Sequence, residues 1–304
     1  MIEKENSKNK DRNNNDNQNG NNRNRILAII CALLFAACLI WLVIYQVRIH
    51  KEADQLDEMK DNYVEEIQEE AVEEASAEGE EAVPEAAEET EENELEGYDV
   101  PEKIIDFDAL NQENEDIYAW ITIPGTVIDY PVLQKADETD YYLDHNLDGS
   151  SGYPGCIYTQ YYNKKDWSDP NTVLYGHNMK DGTMFAALHH YKDPEFFEQN
   201  PYVYIYTKDR IRVYEIFAAY EFSDAHLLLT YDLDTDEGYE SYLESIFENT
   251  GINNHFREDI EPDADSRILS METCIGQKPT KRYVVQAVLV AEGDPFVMEE
   301  TADE

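Results

Sequence analysis

The sequence predicts a mainly β domain, a closed barrel with a few helical insertions, behind one apolar helix that can span a membrane. Three observations carry this. Short β-rich runs recur from residue 121 to residue 291, broken by turns rich in Gly, Pro, Asn and Asp. Two later segments, TMFAALHHY (183–191) and EGYESYLESIFENT (237–250), have helical spacing instead. Residues 26–45, ILAIICALLFAACLIWLVIY, contain no charge.

Charge divides the chain before any element is placed. The 304 residues include 67 Asp and Glu against 23 Lys and Arg, a formal net charge of −44. Residues 1–51 carry +4, residues 52–102 carry −22 and residues 103–304 carry −26. A nucleic-acid binder needs a basic footprint to displace counterions from phosphate, and no stretch of the last 250 residues supplies one. Docking onto an anionic leaflet by charge is excluded on the same ground.

In chain order, residues 1–25 are Asn-rich and polar, and are expected to form a disordered cytosolic tail. Residues 26–47 form the transmembrane anchor. At 1.5 Å per residue, twenty apolar residues cover roughly 30 Å, the thickness of the hydrocarbon layer. Trp41 and Tyr45 sit toward one end, where amphipathic rings favour the interface. A cleaved signal peptide would have an apolar core of about 7–15 residues and small residues at the cut. Arg23 and Arg25 abut the start, with Lys8, Lys10 and Arg12 upstream, against Arg48 and Lys51 after the end. That bias predicts a single pass, with the N-terminus cytoplasmic and everything after residue 48 extracellular.

Residues 48–103 read as an acidic stalk, part helical and part disordered. Leu56, Met59, Tyr63 and Ile67 recur at spacings of three and four, so 49–75 can be helical. Residues 76–97 are Ala, Glu and little else, an extended self-repelling spacer. A folded domain then occupies 104–298, with an acidic tail at 299–304. Its length allows one well-buried domain.

Within that domain, Phe107, Leu110, Ile117 and Trp120 give an opening helix an apolar face. ITIPGTVIDYPVLQ (121–134) reads as two strands broken at Pro124-Gly125. GCIYTQ (155–160), NTVLYGH (171–177), YVYIYT (202–207), RIRVYEIFAAYEF (210–222), RILSMETC (267–274) and RYVVQAVLVA (282–291) read as six more. In the helix at 237–250, Tyr239, Leu243, Ile246 and Phe247 share one side.

Four cysteines are present. Cys31 and Cys38 fall in the apolar segment, leaving Cys156 and Cys274 outside it. Two cysteines allow one disulfide, or none and a working thiol. Cys274 ends a strand-like run and precedes a turn, Ile275-Gly276-Gln277-Lys278-Pro279, so its thiol sits at a strand lip. Arg282 opens the next strand, and a short loop brings it close to Cys274. A guanidinium there lowers a thiol pKa or stabilises an oxyanion. His177 ends its own strand beside the turn-rich Asn-Met-Lys-Asp-Gly, a position suited to proton transfer. Cys156 in PGCIYT reads as a buried strand residue. His189 and His190 lie on a helix, where packing or solvation accounts for them, and His145, His226 and His255 have no partner pattern.

YGHNMKDGTMF (175–185) and SMETC (270–274), followed by TKRYVV (280–285), resemble the two signature regions of class B sortases. DIYAWITIPGTVIDYPVLQ (116–134) and YYLDHN (141–146) are similar to that family too. The resemblance covers about residues 104–298, in family order. It implies an eight-stranded sortase-type closed β-barrel with an N-terminal helix, and a helix between the sixth and seventh strands that flanks the substrate. It also implies a membrane-anchored cysteine transpeptidase of Gram-positive bacteria. Such an enzyme cleaves a C-terminal sorting motif after Thr through a thioacyl-enzyme. The partners implied are a sorting-signal-bearing surface protein and an amine, from a peptidoglycan precursor of the cell wall or from a pilin. Carried over, Cys274 is the nucleophile, His177 the general acid/base and Arg282 the oxyanion or substrate stabiliser. The resemblance calls for no metal and no organic cofactor.

One departure concerns the site. The family's Thr-Leu-x-Thr-Cys is here Ser270-Met271-Glu272-Thr273-Cys274, and the variable slot is often small or hydroxylic. Period-two alternation puts Glu272 on the face of Cys274. A carboxylate there raises the thiol pKa unless it pairs with Arg282 or His177.

Two other functions fit parts of the sequence. A papain-like cell-wall cysteine peptidase places Cys before His, whereas His177 precedes Cys274 here. A non-enzymatic acidic surface protein could use Asp232, Asp234 and Asp236 for calcium. However, Gly238 is one place late for an EF-hand, and Leu243 stands where a bidentate Glu is needed.

Overall fold

The structure, a computed structural model, describes the backbone of residues 2–66, 95–276 and 278–297. It describes side chains from residue 25 onward within those ranges, apart from 49, 50, 52 and 53. Most of the Ala/Glu spacer and the acidic tail at 299–304 lie outside the described residues. The chain forms two compact units, Met1–Asp54 and Gln55–Glu304.

The described residues of the first unit are helical throughout. It belongs to α1 (Ile2–Tyr63), which continues through residues 2–24, where Asn richness led us to expect disorder. Extending a helix needs no new nucleus, so weak formers can follow a strong one. Within it, Arg25–Arg48 is 24 residues long with a mean hydropathy of 3.1, long and apolar enough to cross a membrane. Its apolar side chains are exposed, and Trp41 and Tyr45 stack 5.6 Å apart at one end.

The second unit starts earlier than residue 104, where composition placed the domain edge. The Leu56, Met59 and Tyr63 stripe packs on the domain rather than standing in a free stalk. β1 (Val64–Glu66) pairs antiparallel with β2 (Lys103–Ile105), and Leu95 is buried with Met59 and Val64. Lys60 of α1 and Lys103 both pair with Asp129 of the barrel. Apolar stripe and ion pair together bring an acidic stretch into the fold.

Next come α2 (Phe107–Glu113), β3 (Ile117–Thr122), β4 (Asp129–Leu133), β5 (Ile157–Thr159) and β6 (Asn171–Tyr175). Then follow a 3-10 segment (Phe185–Lys192), α3 (Pro194–Gln199), β7 (Tyr202–Tyr206) and β8 (Ile211–Ser223). The chain closes with α4 (Leu227–Thr230), α5 (Asp236–Phe247), β9 (His255–Phe256), β10 (Ile268–Ile275) and β11 (Lys278–Gly293). The opening helix is shorter than its apolar spacing suggested. Asp106 caps its start, its carboxylate accepting from the Ala109 amide at 2.9 Å. Asn114 ends it in extended conformation, and Ile117 and Trp120 belong to β3. The β-branched and aromatic run IYAWIT favours a strand once the cap stops the helix.

Eight strands close a mixed barrel in the order β11-β10-β6-β5-β4-β3-β7-β8, with β8 returning to β11. The β10–β6 and β4–β5 pairs are parallel and the others antiparallel. β9 adds a two-residue bridge to β8 at Ala218 and Ala219, beyond its pairing with β7. Period two sorts the side chains. Leu269, Met271, Val285 and Ala287 join the main core, while Ile268, Val284 and Val288 meet α5 on the other face.

α5 buries Tyr239, Tyr242, Leu243 and Ile246, whereas Phe247, expected on that side, is exposed. Thr235 caps the helix by accepting from the Gly238 amide at 3.2 Å, so the Asp-rich stretch 232–236 serves as its start. Buried polar bonds fasten the helix to the barrel. Asn171 Nδ2 donates to the Tyr242 hydroxyl at 2.9 Å, and Ser270 Oγ donates to Asn171 Oδ1 at 2.8 Å. Gln286 Nε2 donates to Ser270 Oγ at 2.7 Å and also to Tyr242. Such a network fixes one docking geometry where apolar contact alone would allow several.

Candidate active site

β10 and β11 form the lip of the site. Their register pairs Thr273 with Tyr283, Cys274 with Arg282, and Ile275 with Lys278. Residues 279–281 therefore bulge out beside the tight turn at Gly276, whose φ is +28°. The bulge fits Pro279, which has no amide hydrogen to offer a ladder. Cys274 is exposed at the strand end, as its place before a turn predicted. Its carbonyl accepts from Asn178 Nδ2 at 2.9 Å and His189 Nε2 at 3.0 Å. Burial holds the His189 pKa below the usual imidazole range, and because a carbonyl only accepts, its Nε2 carries the hydrogen toward Cys274. Neither Asn178 nor His189 was identified as a site residue from sequence. Each is local to its own segment, and only the fold brings both to the Cys274 backbone.

His177 follows β6, the parallel neighbour of β10. The Gly176 amide donates to the Glu272 carbonyl at 3.3 Å, and Thr273 Oγ1 donates to the Gly176 carbonyl at 2.8 Å. This extends the pairing to the residue before His177. A Cβ at Gly176 would lie 2.5 Å from Ile157 Cδ1 and 2.8 Å from the Phe185 ring, so the strand end needs glycine there. His177 is half-buried, and its Nε2 lies 2.6 Å from the Leu143 carbonyl. A carbonyl only accepts, so Nε2 carries the hydrogen. Nδ1 is left without a hydrogen-bond partner among the described residues, available for proton exchange. The Tyr153 ring packs on the imidazole with centroids 4.8 Å apart.

Glu272 and Arg282 meet across the same lip. Arg282 Nε lies 3.2 Å from Glu272 Oε1, an ion pair. Nη1 donates to the carbonyls of Pro279 and Lys281 at 3.0 and 3.2 Å. Of the two partners offered to Glu272 by the sequence, the fold selects Arg282. The carboxyl is buried, and burial pushes its pKa up to about 7 against the opposing pull of Arg282. Asp140 adds to the rise, and Tyr175, Tyr158 and Tyr220 lie in reach on β6, β5 and β8.

Cys274, His177 and Arg282 thus line one cleft of about 230 Å³, together with Glu272, Asp140 and His226. At its far end Gln160 donates from Nε2 to Asp140 at 2.8 Å and meets His226 Nε2 through Oε1 at 2.5 Å. His226 had no partner pattern in sequence because Gln160 lies 66 residues away. Cys156 is buried, its thiol 3.7 Å from the His145 carbonyl, so its environment is packing rather than the cleft. An exposed thiol, an imidazole with a free nitrogen and a guanidinium on one cleft make a set suited to acyl transfer.

Comparison with known proteins points the same way. The sortase domain family matches residues 121–290. Sortase B of Listeria monocytogenes is 35% identical over 184 residues, covering 60% of this chain and 72% of that protein. The crystal structure of Clostridium perfringens sortase B is 34% identical with a TM-score of 0.54, covering 60% of this chain and 98% of that one. A Staphylococcus aureus sortase B–substrate complex is 28% identical with a TM-score of 0.55, covering 61% and 84%.

Proposed function

The chain belongs to the sortase family and its class B branch, a cysteine transpeptidase, and from that premise we propose the chemistry of its cleft. Cys274 is the nucleophile, His177 the general acid/base and Arg282 the oxyanion stabiliser. The Cys274 thiolate attacks the carbonyl carbon of the Thr in a C-terminal sorting motif. Arg282 donates hydrogen bonds to the oxygen as it gains charge. The tetrahedral adduct collapses as His177 delivers a proton to the departing amine, leaving a thioester on Cys274. An acceptor amine then attacks the thioester and gives its proton to His177, and the thiolate departs with the new amide formed. The acceptor amine comes from a peptidoglycan precursor of the cell wall or from a pilin.

The observation that carries this reading is the pairing of Cys274 with Arg282 at the barrel lip, one strand from His177. Family membership supports a sorting-signal-bearing substrate and an amine acceptor. We further propose that residues 26–47 anchor the enzyme in a single pass, N-terminus cytoplasmic, with the barrel outside.

The test uses the full chain in detergent micelles, a Thr-containing sorting peptide and an oligoglycine amine, read by mass spectrometry. The expected products are peptide cleaved after Thr and, with amine present, peptide ligated to it. Cys274→Ala should abolish both. Cleavage that persists in the Ala variant overturns the assignment, and product that never contains the amine favours a hydrolase.

A further inference from the structure

An arginine side chain has five N–H donors: one on Nε and two on each terminal nitrogen. In Arg282 the two hydrogens of Nη1 go to the Pro279 and Lys281 carbonyls, and Nε is held in an ion pair with Glu272 at 3.2 Å. Nη2 has no hydrogen-bond partner among the described residues. The bulge at 279–281 grips one corner of the guanidinium, and Glu272 grips the opposite edge. Two such holds on a planar group fix its plane as well as its position, which the bulge alone cannot do.

Glu272 is suited to this and to little else. Its side chain is about 10% exposed, on the same strand face as Cys274 and two residues before it. The next residue on that face is the nucleophile, so the carboxylate sits where a small or hydroxylic residue would be too short to reach the guanidinium. A buried carboxylate costs free energy unless it performs such a pairing.

We propose that Glu272 is a positioning residue of the transpeptidase: it locks the edge of Arg282 so that Nη2 is the pair of donors presented to the scissile carbonyl. This rests on the role proposed for Arg282 and adds what aims it. The oxyanion donor is thereby preorganised, which is where electrostatic catalysis gains most. In this chain the residue that aims the arginine lies at the variable position of the Cys-containing motif.

The experiment compares Glu272→Ala, Glu272→Asp and Glu272→Gln with the unaltered full chain in detergent. It measures kcat and KM for the sorting peptide with saturating amine, and thermal melting of each variant. Glu272→Gln keeps an oxygen at full reach of Nε, and should retain kcat within roughly threefold. Glu272→Asp keeps the charge but is one methylene short, and Glu272→Ala has no acceptor. Both should lose kcat by roughly 10- to 100-fold with KM little changed. Should the Ala variant fail to fold, the order of Gln and Asp still decides. Gln above Asp supports positioning by reach, and Asp above Gln shows that charge alone matters and overturns it. An unchanged kcat in a folded Ala or Asp variant also overturns it. Activity of the unaltered chain, lost in Cys274→Ala, separates these outcomes from failure of the transpeptidase reading itself.

Discussion

Two carboxylates on the same barrel, Asp129 half-buried and Glu272 buried, have opposite fates. Asp129 at the base of β4 is held down at about 2, although its burial pulls the other way. Lys103 at 2.7 Å, Lys60, and the Trp120 indole at 2.8 Å outweigh desolvation, with Thr122 donating at 2.8 Å. Glu272 at the cleft has one cation, Arg282, and burial wins, lifting it to about 7. The difference lies in donor count. The Asp129 cluster is saturated and joins four segments of the fold, α1, β2, β3 and β4. The Glu272 pair is left short, and its arginine keeps two donors in reserve, the condition a site needs and a structural clamp avoids.

That contrast can be broken most severely at Asp129. Lys103 is almost fully buried, with a side chain 5% exposed. Asp129→Asn removes the nearer of the two charges it faces, Glu66 lying at 3.6 Å, and loss of one partner from a largely buried pair costs about 3 kcal/mol. Urea unfolding of the full chain in micelles should show that loss. A change below about 1 kcal/mol would mean that the cluster does not hold the fold.

The second way to sharpen the contrast is pH. Asp129 is ionised more readily in the fold than its ordinary 3.8, so its contribution is complete above that value and is lost as pH falls toward 2. Glu272 binds its proton more tightly in the fold than its ordinary 4.5. Its neutral form favours folding below about 4.5, and that advantage drains away as pH rises through 7. Relative to Glu272→Gln, the unaltered chain should therefore lose about 3 kcal/mol between pH 4.5 and 8. Parallel stability curves for the two would contradict the reading that burial outweighs the Arg282 pairing at Glu272.

The smallest effect is expected at Lys60. Its side chain is 38% exposed, and Lys103 still faces Asp129 when it is removed. Lys60→Ala should cost no more than about 1 kcal/mol by urea unfolding, the range of half-exposed pairs. A larger loss would show that the α1 contact carries more of the clamp than its exposure allows.

The same contrast explains what could be read in advance. β4 to β8, β10 and β11 were legible because alternation and turn residues mark each run locally, whereas only the end of β3 from Ile121 was, Ile117 and Trp120 having read as part of the opening helix. Cys274, His177 and Arg282 each stand at the end of a strand-like run beside a turn, but that spacing alone was a weak signal; the resemblance to class B sortases singled them out, and the fold brings the three to one cleft. The Asp129 cluster was not. Lys60 lies in a stretch whose net charge of −22 reads as solvated stalk, and its apolar partners Met59, Val64 and Leu95 are scattered through Glu and Ala. Composition outweighed four well-placed residues. The pairing of Glu272 was visible as a choice between Arg282 and His177, and only the register of β10 and β11 decides it. Asn178 and His189 carried no signal, because their common target is a backbone carbonyl.

The central claim is that acyl transfer passes through Cys274. Intact-protein mass spectrometry of the full chain, incubated with sorting peptide and no amine, tests it directly. The predicted result is a covalent acyl adduct on the segment containing Cys274, discharged when oligoglycine is added. Turnover without that adduct, or an adduct that forms elsewhere and survives Cys274→Ala, would contradict it.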